Sequence, residues 1–375
     1  MIKINHLAKY QLVLTTRSPV FIGSGVEVTK KEYYYDHSKK RVHILNLEKF
    51  IRLIVDKGLS DAYEAYVLRG AYHVYLADFL REHRINRAEI EVITDYIIDS
   101  ADALPPEYSL KGIKLFMRNA YQQPYIPGSS LKGALRTALL VKMLHEDGDK
   151  RKLNADQFWT ATKDRPGDRN NAKRAVEQIE ENYINTLGLN RKKTGDAVNS
   201  LMRGISVSDS QPVQDTDAMI LCGKNDLSVT GNIKPLNVVR ECLRPNVKVS
   251  FDLCLDSSIL KKIDIGYIQA AIRDFGAYYA ENFDSKFKKP VSAAAEKFQD
   301  TLILGGGAGF FSKTIVYALL GQTRGLKFVS DYMRNQFRQH KHEMDLETGI
   351  SPHRLKHTFY RRQSYHYGVC GVEIL

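Results

Sequence analysis

A short turn followed by a leucine-rich helical pattern constrains the fold of this chain more than any other part of its sequence. Pro127 and Gly128 end an extended segment. Ser129 or Ser130 is then expected to cap a helix over residues 131–144. Leucines that recur every four residues predict a buried stripe along this helix: Leu131, Leu135 and Leu139.

Two basic side chains, Lys132 and Arg136, lie on a neighbouring face of the same helix with the same spacing. The free amide groups at the start of a helix attract anions. Together these features predict a site that binds nucleic-acid phosphates, formed by Gly128, Ser129, Ser130, Lys132 and Arg136. An ordinary capped helix packed against a core has the same short pattern, and the motif alone leaves that alternative open.

The charge of the chain favours a polyanionic partner. Its 375 residues include 55 Lys and Arg against 43 Asp and Glu, a formal net charge of +12, which suits RNA or DNA better than an acidic metabolite. A membrane partner is not expected, because the sequence has no apolar run of about 18 residues and no basic amphipathic helix with a strongly apolar back. The amino-terminal residues lack a signal-peptide pattern, so we expect a cytoplasmic protein.

The four cysteines predict neither a zinc site nor a redox pair, since none belongs to a C-x-x-C motif: they are Cys222, Cys242, Cys254 and Cys370. We expect them to be reduced and mostly buried. Cys254 falls on the polar register of an alternating run, which predicts a half-exposed thiol on a strand.

The order of the predicted elements indicates an α+β protein of two domains. Strands come first, with a hairpin formed by residues 32–35 and 41–45 around a polar turn. Charged residues with weak apolar periodicity over about 146–203 predict a helical insertion. We therefore expect an amino-terminal domain over residues 1–210, which carries the insertion, and a carboxyl-terminal domain over residues 211–375.

The second half of the chain contains another glycine-rich turn. It follows three strand patterns and a long helix, at residues 204–208, 218–222, 248–255 and 258–283. Residues 301–304 predict a strand, residues 305–309 a loop, and residues 311–320 a helix with Lys313 in its first turn. The loop glycines permit close approach of a phosphate, and the loop amides can form an anion nest: Gly305, Gly306, Gly307 and Gly309. A tight turn packed under the helix is the alternative.

This loop does not match the two common nucleotide-binding patterns. Ser312 stands where a P-loop requires glycine before its lysine, and Phe310 stands in place of the third glycine of G-x-G-x-x-G. A nucleotide cofactor is therefore not expected.

Four stretches of the sequence together resemble the RAMP superfamily of CRISPR proteins. They are residues 18–25 (SPVFIGSG), 125–137 (YIPGSSLKGALRT), 304–309 (LGGGAG) and 368–374 (GVCGVEI). Members of this superfamily form RRM-like, ferredoxin-like domains and carry a glycine-rich loop near the carboxyl end. The resemblance implies an α+β fold of two such domains with helical insertions. Within the superfamily, the stretches look most like the family of fifth subunits of type III-A Csm complexes.

That family implies a role without catalysis, in which the subunit caps the effector complex at the crRNA 3′ end and supports crRNA maturation in antiviral defence. The expected RNA-binding residues are then Gly128, Ser129, Ser130, Lys132, Arg136, Gly305, Gly306, Gly307, Gly309 and Lys313. The expected partners are crRNA, the backbone RAMP subunit, the small helical subunit of the Csm complex, a host nuclease for 3′ trimming and, indirectly, target RNA. We expect no cofactor and no metal, because the sequence contains none of the common nucleotide-binding or zinc-binding patterns.

A metal-independent crRNA-processing endoribonuclease is the alternative, since some RAMP relatives cleave RNA. Such a reaction needs a general base, often His, and a cation for the cleaved phosphate. His37 and His43, in and beside the predicted hairpin, are the candidates. Asp36 is a third candidate, but an aspartate also suits the corner of a hairpin turn, and we prefer that interpretation.

The carboxyl-terminal region combines histidines with basic and aromatic residues. It holds five of the 11 histidines: His340, His342, His353, His357 and His366. His353 and His357 would share a helix face, but Pro352 argues for a loop or strand, so we expect no metal site there. Basic and aromatic residues interleave over residues 354–367, which suits stacking on RNA bases. A solvated basic hairpin before the last strand is the alternative.

Overall fold

The computed structural model describes residues 6–69, 75–104, 111–215, 217–294 and 297–375, in which helices and strands are mixed as the predicted α+β class requires. The strands in this part of the chain are β1 Leu7–Thr16, β2 Gly23–Val28, β3 Tyr33–Asp36, β4 Arg41–Leu45, β5 Thr94–Asp99, β6 Ile113–Phe116, β7 Ile205–Val207, β8 Met219–Ser228, β9 Ile233–Leu243, β10 Lys248–Asp256, β11 Thr301–Ile303, β12 Arg354–Tyr360, β13 Gln363–His366 and β14 Val369–Ile374.

The α-helices are α1 Leu47–Asp56, α2 Ser60–Leu68, α3 Leu76–Glu82, α4 Arg87–Ile93, α5 Gly128–Glu146, α6 Gly148–Thr162, α7 Arg169–Tyr183, α8 Ser257–Leu260, α9 Ile265–Asn282, α10 Val316–Gln336 and α11 Asp345–Thr348. The single helix predicted over residues 258–283 is therefore wrong. It is divided into α8 and α9, because Lys261 adopts a φ of 50° that ends the first of them.

A five-stranded antiparallel sheet has the strand order β11-β14-β1-β10-β7. The predicted final strand becomes the internal strand β14. Alternate residues of β1 face the core, where Leu12 and Leu14 are completely buried. Helices α5 and α9 pack against each other and contact β7 and β11 at the two edges of the sheet.

A nine-stranded sheet has the order β2-β6-β9-β8-β5-β4-β3, with β12 paired to β8 and β13 paired to β12. The predicted early hairpin is confirmed as β3 and β4. Strand β9 had no counterpart in the sequence prediction, and it contains Pro235, a residue that is unusual in a central strand. In the structure Pro235 lies opposite Asn225, beside a register shift in β8 that tolerates the missing amide.

Each sheet contains strands from both sides of residue 210. In the five-stranded sheet, β1 lies between β10 and β14. In the nine-stranded sheet, β6 pairs with β9 and β5 pairs with β8. The division between the sheets thus differs from the predicted division of the chain, and the domain boundaries stay a prediction.

The helices outside the sheets form two groups. Helices α1 to α4 enclose a small core of their own that includes Phe50, Tyr66 and Phe79. The predicted insertion at about 146–203 is helical, as α6 and α7, and it packs against α5 and α10. The rings of Phe158 and Phe328 meet there with their centroids 5.0 Å apart.

None of the described helices has the length and apolar character needed to cross a bilayer. All four cysteines are free, and Cys254 is the half-exposed strand thiol that the alternating pattern predicts, whereas the other three are buried.

Candidate nucleic-acid interface

The first predicted motif forms the start of α5, but no serine caps the helix. The helix begins at Gly128, so Ser129 and Ser130 lie inside its first turn. The Gly128 amide donates instead to Oδ1 of Asp209, at 2.8 Å. The predicted serine cap is therefore wrong, because a carboxylate from the segment after β7 satisfies this amide.

Gly128 is required by packing. A Cβ atom at this position would lie 2.4 Å from the carbonyl oxygens of both Val207 and Ser208. The predicted leucine stripe is confirmed, since none of its members exposes more than 1% of its surface: Leu131, Leu135 and Leu139. The turn thus packs the start of α5 against the end of β7. The Asp209 carboxylate already occupies part of the helix terminus that would attract an anion.

The two basic residues of α5 have different surroundings. Lys132 is half-buried, and burial lowers its pKa. Arg136 forms a bidentate ion pair with Glu180 of α7, with Nη1–Oε1 and Nη2–Oε2 distances of 3.0 and 2.7 Å. Arg136 therefore ties α5 to the insertion, and a phosphate must compete with the Glu180 carboxylate for it.

The second predicted motif is the loop between β11 and α10. Gly305, Gly307 and Gly309 have φ values of 81°, 97° and 87°, in the left-handed region that favours glycine. The Gly306 amide donates to the carbonyl oxygen of Phe21, at 2.8 Å. The loop therefore packs tightly on the segment between β1 and β2.

Lys313 does not lie in a helix. Helix α10 begins at Val316, so the predicted helix over residues 311–320 starts too early, and Lys313 is exposed in the turn before it. Lys313 lines a cavity of about 200 Å³ together with Arg136 and Glu180. Charged residues of the two predicted motifs thus lie around one cavity, between α5, α7 and the loop.

Four cations gather on neighbouring strands of the nine-stranded sheet, beside the glycine-rich loop. We call this group the basic cluster: Lys114 on β6, Lys224 on β8, Arg240 on β9 and Lys356 on β12. Lys114 and Arg240 are direct partners in the sheet register. The pKa of Lys224 is lowered to about 8, first by burial and then by the charges of Lys356 and Arg240. Lys114 pairs with Glu27 and Lys356 pairs with Asp226, whereas Lys224 and Arg240 form no ion pair within the described residues. Positive charge therefore exceeds negative charge at this point.

Arg240 joins the basic cluster to the loop. Its Cζ atom lies 5.0 and 5.7 Å from the ring centroids of Phe21 and Tyr367. A Cβ atom on Gly307 would lie 2.4 Å from its Nη1 atom. Nε and Nη1 are shielded from solvent and lack an acceptor within the described part of the chain. Shielded donors without an acceptor are costly, and an anionic ligand would remove that cost only if the Arg240 side chain turned toward solvent.

No sequence pattern identified Lys114, Lys224 or Arg240. These residues lie on strands that are distant in the sequence, and the strand that holds Arg240 was not predicted. One available signal was Gly231, which has a φ of 92° in the turn between β8 and β9. A glycine turn between two apolar segments is typical of a hairpin.

The candidate catalytic residues of the early hairpin lie in different environments. His37 is exposed in the turn, whereas His43 is buried on β4. Burial lowers the pKa of His43, and its Nδ1 lies 3.1 Å from Oγ1 of Thr94. Asp36 accepts hydrogen bonds from the amide and hydroxyl of Ser38, at 3.0 and 2.6 Å. The prediction that Asp36 forms the turn corner is confirmed.

The carboxyl-terminal strands β12 and β13 form a hairpin with Arg361 and Arg362 exposed at its turn. Most of the aromatic residues proposed for base stacking are buried instead: Tyr360, Tyr365 and Tyr367. This arrangement favours the basic-hairpin alternative. His357 is buried in β12, where its Nδ1 is hydrogen-bonded to Oγ of Ser364, so it does not share a helix face with His353.

Two sheets with helical insertions, and a glycine-rich loop beside basic strand residues, match the fold class that the resemblance predicts. The sequence matches the RAMP superfamily over residues 13–312, and the chain belongs to that superfamily.

Within this class, the chain is similar to Csm5 proteins of CRISPR systems. It is 28% identical to Csm5 of Streptococcus thermophilus over 326 residues, which cover 83% of this chain and 81% of that protein. It is 26% identical to Csm5 of Enterococcus italicus over 393 residues, 97% of each chain. The predicted resemblance is confirmed.

Two solved structures share the fold. One is a chain in a Csm-crRNA-target RNA ternary complex of a type III-A CRISPR-Cas system, with a TM-score of 0.67 and 18% identity over 97% of this chain and 100% of that chain. The other is the crystal structure of Csm5 from T. onnurineus, with a TM-score of 0.63 and 17% identity over 96% of this chain and 99% of that chain.

Proposed function

We propose that this protein is a non-catalytic crRNA-binding subunit of a type III-A Csm effector complex, which caps the crRNA 3′ end and supports crRNA maturation in the cytoplasm. The observation that carries the proposal is the basic cluster beside the glycine-rich loop, where the charges of Lys356 and Arg240 act on Lys224. A phosphate of the RNA backbone is an anionic acceptor of the right geometry for a guanidinium.

The comparisons support the partners. Relatives named Csm5 match most of the chain, and a protein of the same fold is part of a complex with crRNA and target RNA. We infer that this subunit contacts crRNA, the backbone RAMP subunit and the small helical subunit, that it recruits a host nuclease for 3′ trimming, and that it meets target RNA only indirectly.

In this proposal the basic cluster binds the phosphates, and the loop leaves room for the side chains of the cluster. Gly307 and Gly309 lie against Arg240 and Lys356, so a bulkier loop residue would displace the side chains that meet the RNA. Contacts between these basic side chains and phosphates do not depend on the bases, so binding is independent of RNA sequence. Binding that does not depend on sequence suits a subunit that holds the end of the crRNA.

Lys132 and Arg136 of the first motif are also proposed to contact RNA, but they differ in how free they are to bind a phosphate. Lys132 is free of ion pairs within the described chain, whereas Arg136 is engaged with Glu180. If Arg136 binds a phosphate, Glu180→Ala should release it and tighten RNA binding. If Arg136 is only a link to the insertion, the same change should leave RNA affinity unaltered. Lys313, across the cavity, is exposed and available.

The test is assembly of the complex with the double variant Lys224→Ala/Arg240→Ala and sequencing of the crRNA 3′ ends. We expect crRNA that is less well retained and less uniform in length than with the wild type. Arg52→Ala is the control, because Arg52 is an exposed cation on α1 paired with Glu48. Unchanged 3′ ends in a complex that contains the folded double variant would contradict the proposal.

The ribonuclease alternative predicts a different result in a simple assay. Purified protein incubated with labelled crRNA precursor, without metal, should leave it intact if the subunit only binds. Cleavage that His37→Ala or His43→Ala abolishes would replace the proposed role with that of a processing enzyme. His43→Ala needs a check of its fold by circular dichroism, since His43 is buried.

A further inference from the structure

We propose that His342, Asp345 and His353 form a binding site for one divalent transition-metal ion, with Zn²⁺ as the best match to the ligand set. The three residues belong to the segment that connects α10 to β12. One ligand atom from each lies within 4.8 Å of the other two. This segment is remote in sequence from both glycine-rich motifs.

Both histidines lie against the Asp345 carboxylate. Nδ1 of His342 lies 2.9 Å from Oδ2, and Nδ1 of His353 lies 2.5 Å from Oδ1. The two imidazole rings are neighbours, with centroids 4.8 Å apart and a 45° tilt. Each ring nitrogen thus meets a different oxygen of one carboxylate, and the three side chains are close enough to share one ion after small rotations.

The charge at this point favours a cation. Asp345 is completely buried, and no Lys or Arg within the described residues forms an ion pair with it; its ion-pair partners are the two histidines. Both imidazoles lie within hydrogen-bond distance of its oxygens. A divalent cation bound by the same atoms would supply the counter-charge that no described Lys or Arg provides.

The chemical class follows from the donor atoms. Imidazole nitrogen and carboxylate oxygen suit Zn²⁺ and its neighbours in the first transition series, whereas Ca²⁺ and Mg²⁺ prefer oxygen ligands only. Three protein ligands leave a fourth tetrahedral position. The His353 side chain keeps 18% of its surface exposed, so water can reach the metal on that side.

Other groups hold the ligands in place, as is usual around metal sites. Ser351 Oγ donates to Oδ2 of Asp345 at 2.5 Å. Ser330 Oγ on α10 donates to the backbone carbonyl of His342 at 2.9 Å. The Tyr317 hydroxyl donates to the carbonyl of Ser351 at 2.7 Å. A bound ion would therefore fasten the connecting segment to α10, which bears on α6 of the insertion.

The competing explanation is that His342, Asp345 and His353 only form hydrogen bonds with one another. Metal uptake distinguishes the two explanations. The full-length protein is treated with a chelator, dialysed and titrated with Zn²⁺ by calorimetry, with the bound metal counted by mass spectrometry. We expect one Zn²⁺ per chain and an intense visible absorption after substitution with Co²⁺. His353→Gln and Asp345→Asn should each weaken Zn²⁺ binding by at least about 100-fold.

His340→Ala is the matched control. Its ring is stacked 6.2 Å from that of His342, but the residue is exposed and lies outside the ligand set. This variant should bind Zn²⁺ like the wild type, and Zn²⁺ should raise its thermal midpoint but not that of His353→Gln. We expect His353→Gln to fold because the His353 side chain is partly exposed, so this variant keeps the test valid if Asp345→Asn does not fold. Absence of stoichiometric uptake by the wild type, or equal uptake by His353→Gln, would overturn the proposal.

Discussion

Lys224 shows, at the scale of one residue, how burial changes a charge that RNA can use. Its pKa is lowered to about 8, because burial and the neighbouring Lys356 and Arg240 disfavour the ammonium form. A phosphate placed against Lys224 would favour that form again and return its pKa toward the ordinary value of about 10.4. Binding then takes up a proton between these two pH values, so affinity falls as the pH rises above 8.

We therefore expect the affinity for single-stranded RNA to fall by about tenfold between pH 7 and pH 9. Lys224→Arg should remove most of this dependence, because a guanidinium stays charged over the whole range. Fluorescence anisotropy at constant ionic strength measures both proteins. An equal pH dependence in the two would show that Lys224 does not meet a phosphate.

A second single-residue effect concerns the buried ion pair of Glu241 and Arg118. Glu241 is completely buried, and burial raises its pKa although Arg118 and the Phe116 amide oppose the shift. The Arg118 guanidinium also lies 3.8 Å from the ring centroid of Tyr96. The pair holds β6 and β9 together next to the basic cluster.

Arg118→Ala should lower the free energy of unfolding by about 3–5 kcal/mol, because it leaves a buried carboxylate unpaired. Replacing both partners by apolar residues, as in Arg118→Met/Glu241→Leu, should recover most of that loss. Urea unfolding followed by circular dichroism provides both values. A double variant no more stable than Arg118→Ala would contradict this account of the pair.

At the scale of the element, α5 contains two glycines with opposite requirements. A Cβ atom on Gly128 would clash with the backbone carbonyls after β7, whereas a Cβ atom on Gly133 would meet nothing within 4 Å. Gly128 is thus a packing position, and Gly133 is a helix interior position without a packing role.

Gly128→Ala should therefore destabilise the protein by about 1–3 kcal/mol, and Gly133→Ala should stabilise it by about 0.5–1 kcal/mol. The two variants differ by the same methyl group on the same helix, so each controls for the other. Urea denaturation midpoints provide the comparison. Equal effects would mean that the close approach of α5 to β7 is not a constraint.

At the scale of the whole molecule, the net charge of +12 and the basic cluster predict a strong salt dependence. For single-stranded RNA, the logarithm of the binding constant should fall with the logarithm of salt concentration with a slope of about −0.7 per phosphate contact. Four cations in contact imply a slope of about −3.

Arg240→Ala should reduce the steepness of that slope by about 0.7 and weaken binding to all RNA sequences alike. Arg52→Ala, which removes an exposed charge on α1, should change the slope much less. The measurement is a salt series with two unrelated RNA sequences. A shallow slope, or a loss of affinity confined to one sequence, would argue for base recognition in place of phosphate binding.

Much of the local structure was predictable from short-range patterns. The β3–β4 hairpin follows from β-branched and aromatic residues around a polar turn, and the buried face of α5 follows from its leucine spacing. The boundaries were less predictable. The start of α10 depends on how residues 305–315 pack, and strand β9 contains a proline that is acceptable only where its partner strand changes register.

The candidate site was predictable in part. Glycines 305–309 were identified because glycine permits backbone conformations that other residues avoid. What a charged residue does depends on which groups lie beside it, and this is not a local property. Asp209 at the start of α5 and Glu180 beside Arg136 are both distant in sequence from the motif that they alter.

The sequence by itself determined the α+β class, the basic character of the chain, the two glycine-rich motifs and the resemblance to RAMP proteins, since these depend on composition and on spacing along the chain. Only the tertiary structure decided which strands share a sheet and which charges share a surface. Pairing of β6, β8, β9 and β12 brings the basic cluster together, and folding of the segment before β12 gathers His342, Asp345 and His353. The physical reason is that hydrogen-bonded pairing and burial act between neighbours in space, whatever their separation in sequence.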